Sequence, residues 1–276
     1  MNTDNLKYMA GAALSWLMPG RTRVIRKAFT LPYFDSQIRG GALERLIRLY
    51  IARSSRKDPM RLEKLHKNFW RRQGTDGWHG ATKDRLKDTY YASFSDLVQR
   101  CALEISTRRI ERVVEFGTGD GDWLRFLSQH WQGPSTFIGI DIAEQRIAIN
   151  VSRHPNLVFE CADLTHWVEE HAVGQTIFVT QGGVLEYLSE CSLRRFFEAI
   201  SQRCPSSLLF LIEPLATGHN LDSHRESRLY GAEYSYSHNY PYQLSRAGIS
   251  LLHQEERAMS DQRWLVVLAA VSGSDP

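Results

Sequence analysis

Two short stretches hold the residues best placed for chemistry. The first, "VVEFGTGDGDW" (Val113–Trp123), carries a short apolar run into three alternating glycines, Gly117, Gly119 and Gly121, and then into a helical pattern. Glycine at such a turn lets backbone approach a ligand beside a helix N-terminus, where N–H groups lack partners. The dinucleotide fingerprint G-x-G-x-x-G would require glycine at 122, where this chain has Asp122. Glu115, Asp120 and Asp122 around the turn suit a cationic ligand better than a pyrophosphate, which argues against nicotinamide dinucleotides and nucleoside triphosphates. The second stretch, "YGAEYSYSHNYPYQ" (Tyr230–Gln243), holds five of the eleven tyrosines together with His238. Histidine is the natural general base near neutral pH, and aromatic faces attract a cation.

The elements that must position these stretches change character near Ile110. Upstream, "ALERLIRLYIARSS" and "MRLEKLHKNFWRR" space their apolar residues as helices do, and a third helical pattern starts at Thr82. Downstream, short apolar runs alternate with helical segments: "RVVEF", "FIGID", "LVFECADL", "QTIFVT" and "SSLLFLIEP". Alternation of this kind predicts a doubly wound α/β sheet. The last two runs, "ISLLHQEE" and "RWLVVLAAV", have only a turn between them, which predicts a late antiparallel hairpin. The expected organisation is a helical region over residues 1–109 and an α/β domain over 110–276. In that frame the tyrosine-rich stretch joins the fifth strand to a helix opening at Pro241, with Ser237 or Asn239 as cap. Tyr234, Tyr236 and His238 belong to the connection, Tyr240 and Tyr242 to the helix start.

Charge is divided between the two regions. Residues 1–110 hold 22 Lys+Arg against 10 Asp+Glu, a net of +12, while the rest hold 12 against 21, a net of −9. No lysine follows Lys87. A basic region of this kind suits an anionic partner, or it packs against the acidic one. The run "YMAGAALSWLM" is too short to span a bilayer, and Asp4 and Lys7 precede it while Arg21, Arg23, Arg26 and Lys27 follow it, unlike a secretory signal. Residues 8–27 could lie on a membrane surface or dock on the protein's own core. Cys101, Cys161, Cys191 and Cys204 show no zinc-ligand spacing, so no metal is expected; reduced thiols and a cytoplasmic location, with peripheral membrane contact, fit them.

"VVEFGTGDGDW" resembles the first motif of the class I S-adenosylmethionine-dependent methyltransferases, and the next segments follow that family's order over roughly residues 110–271. The resemblance implies a Rossmann-like, seven-stranded, mostly parallel sheet with S-adenosyl-L-methionine as cofactor. Gly117, Gly119 and Gly121 would form the cofactor loop, with Glu115 near the methionine amine or orienting the loop amides. Asp141, ending "FIGID", and its neighbour Ile142 would meet the ribose. Asp163 and Leu164 of "FECADL" would address the adenine, and Gln181 of "TIFVTQGGVLEYL" the methionine end. On the residues alone, Asp141 and Asp163 are also plausible helix caps.

Methyl transfer from a sulfonium mainly needs alignment and exclusion of water, and a hydroxyl or protonated amine acceptor also needs a base. His238 and Tyr236 are the candidate catalytic residues, since ligands in such sheets bind beyond the carboxyl ends of the strands; ordinary packing is the competing reading. The position that carries Asn/Asp-Pro-Pro-aromatic in amino-methylating nucleic-acid enzymes reads "TQGGVLEY" here, which weighs against nucleic acid. The implied acceptor is an O or N atom of a small molecule, anionic or lipid-like. The alternatives are an RNA-directed enzyme that grips phosphates with its basic region, and a cofactor-binding protein with an assembly or non-methylating role.

Overall fold

The computed structural model describes residues 3–27, 41–72, 91–171, 174–231, 234–259 and 262–272. Among the described residues, four helices come first: α1 (Thr3–Leu17), α2 (Pro19–Lys27), α3 (Ala42–Ser55) and α4 (Pro59–Trp70). They share a small core of Ile25, Ile47, Ile51, Leu65 and Phe69. Helix α4 starts cleanly, because Asp58 accepts from the Arg61 N–H and Pro59 stands where no intrahelical N–H is needed. Residues 73–90, which hold Trp78, His79 and the start of the helical pattern expected from Thr82, lie outside the described residues. The rest forms α5 (Ser95–Arg108).

The α/β part runs β1 (Arg112–Phe116), α6 (Asp122–His130), β2 (Thr136–Asp141), α7 (Glu144–Arg153), β3 (Val158–Cys161), α8 (Leu164–Glu170) and β4 (Thr176–Gln181). It continues with α9 (Glu190–Arg203), β5 (Leu208–Leu215), β6 (Arg228–Tyr230), β7 (Ser235–Ser237), α10 (Tyr240–Arg246), β8 (Ile249–Met259) and β9 (Gln262–Val271). One seven-stranded sheet results, in the order β3-β2-β1-β4-β5-β9-β8. β1 to β5 are parallel, and β9 is antiparallel to both β5 and β8. The late hairpin thus closes one edge, as the short turn between the last two runs predicts.

β4 and β5 are buried along their lengths, as strands covered on both faces must be, so their apolar runs are continuous rather than alternating. One face packs beneath α8 to α10 through Phe116, Phe178, Phe196 and Tyr240. The other packs beneath α5 and α6 through Phe94, Val98, Trp123 and Phe210. Helix α5 therefore joins the sheet's core although it belongs by sequence to the helical region. The chain order turns back between β1 and β4, so both glycine-rich turns, at 117–121 and 182–183, open at the carboxyl ends of adjacent strands.

The tyrosine-rich connection departs from expectation in one respect. Residues 235–237 are not loop but a strand, β7, paired antiparallel with β6 in a separate two-stranded sheet. Tyr234 enters it with a left-handed φ of 59°. Asn239 caps α10 by accepting from the Tyr242 N–H at 3.1 Å, whereas Ser237 accepts from the Ala216 N–H at 2.9 Å.

Candidate active site

The loop after β1 is held from below and from both sides. Gly117, Gly119 and Gly121 all take positive φ, between 54° and 75°, a conformation in which a side chain costs strain. A Cβ on Gly117 would also come within 2.5 Å of Val184 in the facing turn. Beneath the loop, Glu115 is buried and accepts from Thr118 Oγ at 2.6 Å. Burial pushes its carboxyl up to about 8; the Thr118 bond opposes this, and the charges of Asp120 and Asp141 add to it. At the end of β2, Asp141 accepts from the Gly119 N–H at 3.0 Å with one oxygen and from the Ala143 N–H at 2.9 Å with the other. Its carboxyl is raised by burial, against the pull of those two N–H groups. The cap of α7 is Ala143, so Asp141 braces the glycine loop instead of capping that helix.

Two further braces were not singled out by sequence. Asn150 Nδ2 donates to the Gly119 carbonyl at 2.8 Å, and His154 Nε2 contacts the Asp120 carbonyl at 3.0 Å. Both lie on the buried side of α7. The signal available was a polar residue at helical spacing on an otherwise inward-facing stripe, Ile147 to Asn150 to His154.

Asp163 does cap α8, accepting from the Thr165 N–H at 3.1 Å. Its other oxygen pairs with Lys67 Nζ at 2.8 Å, so α4 of the N-terminal region reaches the end of β3. Lys67 also pairs with Glu63 at 3.0 Å, and Glu63 accepts from the Ser189 N–H and Oγ at 2.9 and 2.7 Å. Burial draws Lys67 down, yet Asp163 and Glu63 outweigh it and its ammonium is held above the usual lysine range. Leu164 opens α8 and is half-buried, as is Ile142 beside Asp141.

On the far side, Gln181 ends β4 and is followed by Gly182 and Gly183 at φ 81° and 87°. An added Cβ at Gly182 would meet nothing within 4 Å, so open space adjoins this strand end. The short 3-10 turn Leu185–Tyr187 that follows is pinned by Glu213 of β5, which accepts from the Val184 and Leu185 N–H groups at 3.1 and 3.2 Å. Burial raises that carboxyl to about 7. Tyr187 meets His66 and Trp70 of α4 at ring-centroid distances of 5.1 and 5.3 Å, and Tyr230 donates to Glu186.

His238 and Tyr236 stack at 5.6 Å but sit in different surroundings. His238 is fully buried, with Nδ1 2.7 Å from Ser227 Oγ and Nε2 3.2 Å from the Leu185 carbonyl. Desolvation lowers it to about 4, so it is neutral at ordinary pH and both nitrogens are engaged. In this arrangement it fastens the turn after β4 and offers no free lone pair to an acceptor. The Tyr236 hydroxyl, by contrast, is buried without a hydrogen-bond partner among the described residues. Desolvation, with Glu63 of α4 and the α4 cap Asp58 nearby, pushes it up to about 12, so it stays protonated and can donate as well as accept a hydrogen bond.

The family model described as "Methyltransferase domain" matches residues 86–256, more than half of the chain. No curated protein sequence matches. Among solved structures, a magnesium protoporphyrin IX methyltransferase from Synechocystis PCC 6803, with bound S-adenosylhomocysteine, aligns with a TM-score of 0.56 at 13% identity; the alignment covers 76% of this chain and 100% of that one. An S-adenosylmethionine-dependent methyltransferase from Leishmania major gives 0.56 at 12% identity, covering 86% and 89%. One from Clostridium acetobutylicum ATCC 824 gives 0.53 at 10%, covering 71% and 97%. The chain belongs to the methyltransferase-domain family and is an S-adenosylmethionine-dependent enzyme with the class I fold.

Proposed function

We propose that this enzyme transfers the methyl group of S-adenosylmethionine to an O or N atom of a small molecule, held between the end of β4 and the aromatic side of α4. The observation that carries the reading is the Tyr236 hydroxyl, a buried group with no hydrogen-bond partner among the described residues, beside the His238 ring and within reach of the Glu63 charge on α4. A buried polar group left unpaired costs about 1–3 kcal/mol, and an acceptor's oxygen or nitrogen lone pair would relieve it.

The residues fit the cofactor. Glu115 is a buried carboxyl with no cation beside it among the described residues, suited to the methionine ammonium. Asp141 stands at the strand end with spare lone pairs for two ribose hydroxyls. Asp163 and Leu164 border the adenine position, and Gln181 the methionine end. When bound, the sulfonium supplies the methyl group and its own leaving tendency. The chain's part is to align the partners, exclude water and, through Tyr236, orient the acceptor atom. Tyr236 is held too far up to act as a base at neutral pH and His238 is engaged at both nitrogens, so the acceptor must be nucleophilic without prior proton removal by either.

The test is transfer of radiolabelled methyl from S-adenosylmethionine to a panel of small amines, phenols and carboxylates, with bulk RNA alongside. Transfer to a small molecule, reduced in Tyr236→Phe, is the expected result. Transfer to RNA alone, or to nothing in the panel, would overturn the reading.

A further inference from the structure

Helix α1 presents two unlike faces. Inward, Tyr8 lies 5.4 Å from Tyr50, and Leu14 packs on the core of Ile25, Ile47 and Ile51. Gly11 is so close to α3 that any Cβ there would collide with the Leu46 carbonyl. Outward, Leu6, Met9, Ala10, Ala13, Trp16 and Leu17 recur at three- and four-residue steps, and all six are exposed. Trp16 is 82% exposed and Leu17 65%; Val24, one turn into α2, is 64% exposed. A contiguous stripe of this kind on a helix whose other face is already packed marks a surface that meets something apolar.

The charge around the stripe says what that is. Residues 1–27 contain five basic residues (Lys7, Arg21, Arg23, Arg26 and Lys27) against the single acidic Asp4. Lys7, Arg21 and Arg23 are exposed. We infer that this face docks on an anionic phospholipid surface, with the stripe at the boundary of headgroups and acyl chains and the basic side chains on the phosphates. Helix α1 has 15 residues, too few to cross a bilayer, so it lies in the plane. Trp16, apolar with one N–H, is the side chain best suited to that boundary. A second copy of the chain fits less well, because two faces rimmed by the same positive charge repel. Such docking would place the enzyme where amphiphilic acceptors concentrate.

The test is co-sedimentation of the full-length protein with vesicles of mixed phosphatidylglycerol and phosphatidylcholine, against vesicles of phosphatidylcholine alone. Binding to the anionic vesicles is expected, weakening as salt rises. The double variant Trp16→Ser/Leu17→Ser should lower that partition by about tenfold, and Arg21→Glu/Arg23→Glu should reduce it as well. Both pairs are exposed, on helices that pack against α3 and each other, so S-adenosylhomocysteine binding should be unchanged and reports that the fold is intact. No partition, equal partition onto both vesicle types, or partition undiminished in Trp16→Ser/Leu17→Ser would each overturn the proposal. So would a dimer in light scattering that the same variant disperses, since the stripe's occupant would then be a second copy.

Discussion

The two halves of the site are built by different means. On the side proposed for the cofactor, the braces of the glycine loop described above come from one stretch of chain, residues 115–154: Glu115, Thr118, Asp141, Asn150 and His154. On the side proposed for the acceptor, ties join distant segments: Glu63 reaches Ser189 across 126 positions, Tyr230 reaches Glu186 and His238 reaches Leu185, while Lys67 carries α4 across to Asp163. A local unit reproduces one geometry for one cofactor. A site assembled from separate segments can change its acceptor by changing any one of them. The comparison predicts that damage to the acceptor half spreads through the fold, while damage to the cofactor half stays in binding.

The largest effect is expected at Glu213. Glu213→Ala would leave two buried N–H groups of the turn after β4 unsatisfied and open a cavity, costing about 3 kcal/mol. Urea unfolding checks this, and a midpoint equal to that of the parent protein would break the claim that Glu213 holds the turn. Next, Asp141→Ala should weaken S-adenosylhomocysteine binding by ~1–3 kcal/mol with little change in acceptor KM. Titration calorimetry showing unaltered affinity in a folded variant would remove Asp141 from the cofactor site. Tyr236→Phe should lower kcat/KM about tenfold while cofactor affinity stays fixed, since one hydrogen bond near 1.4 kcal/mol is lost. Equal loss in both quantities would mean that the tyrosine serves the fold. The smallest effect is expected at Lys67→Met, which cuts the tie between α4 and Asp163. That pair is partly exposed, so stability should fall by no more than about 1 kcal/mol. A larger shift in acceptor KM than in stability would sharpen the view of α4 as a wall of the acceptor side.

The same contrast explains what was legible in the sequence. The glycine-rich turn of "VVEFGTGDGDW" and the strand ends near Asp141 and Asp163 were legible because strand, turn and helix follow one another in the chain and each carries its own periodicity. The mostly parallel sheet with its antiparallel edge followed from the alternation and from the short final turn, whereas the number of strands, seven, was what the family resemblance implied. The ties of Glu63 and Lys67 could not be seen, because their partners lie far along the chain and nothing local marks a lysine as the one that crosses. Strand β7 was missed because three residues are too few to show a period, and alternating tyrosines fit strand and loop alike. His238 was noticed for its chemistry, but its role depends on burial and on Ser227 and the Leu185 carbonyl, which only the fold brings to it.

The central claim is that Glu115 is a protonated carboxyl waiting for a cation. The sign is fixed by its elevation: with the folded value near 8 and the ordinary value near 4.5, the free protein holds a proton that the unfolded chain releases. Its contribution to stability is therefore full at pH below the ordinary value and is lost as pH rises through about 8. A bound ammonium favours the ionised form, so binding must expel that proton. The direct measurement is calorimetric titration with S-adenosylhomocysteine across pH and in buffers of different ionisation enthalpy. The account predicts affinity rising by about tenfold per pH unit toward 8 and then levelling, with about one proton released below that point and none in Glu115→Gln. Affinity that stays flat across this range, or proton release that persists in Glu115→Gln, would contradict it.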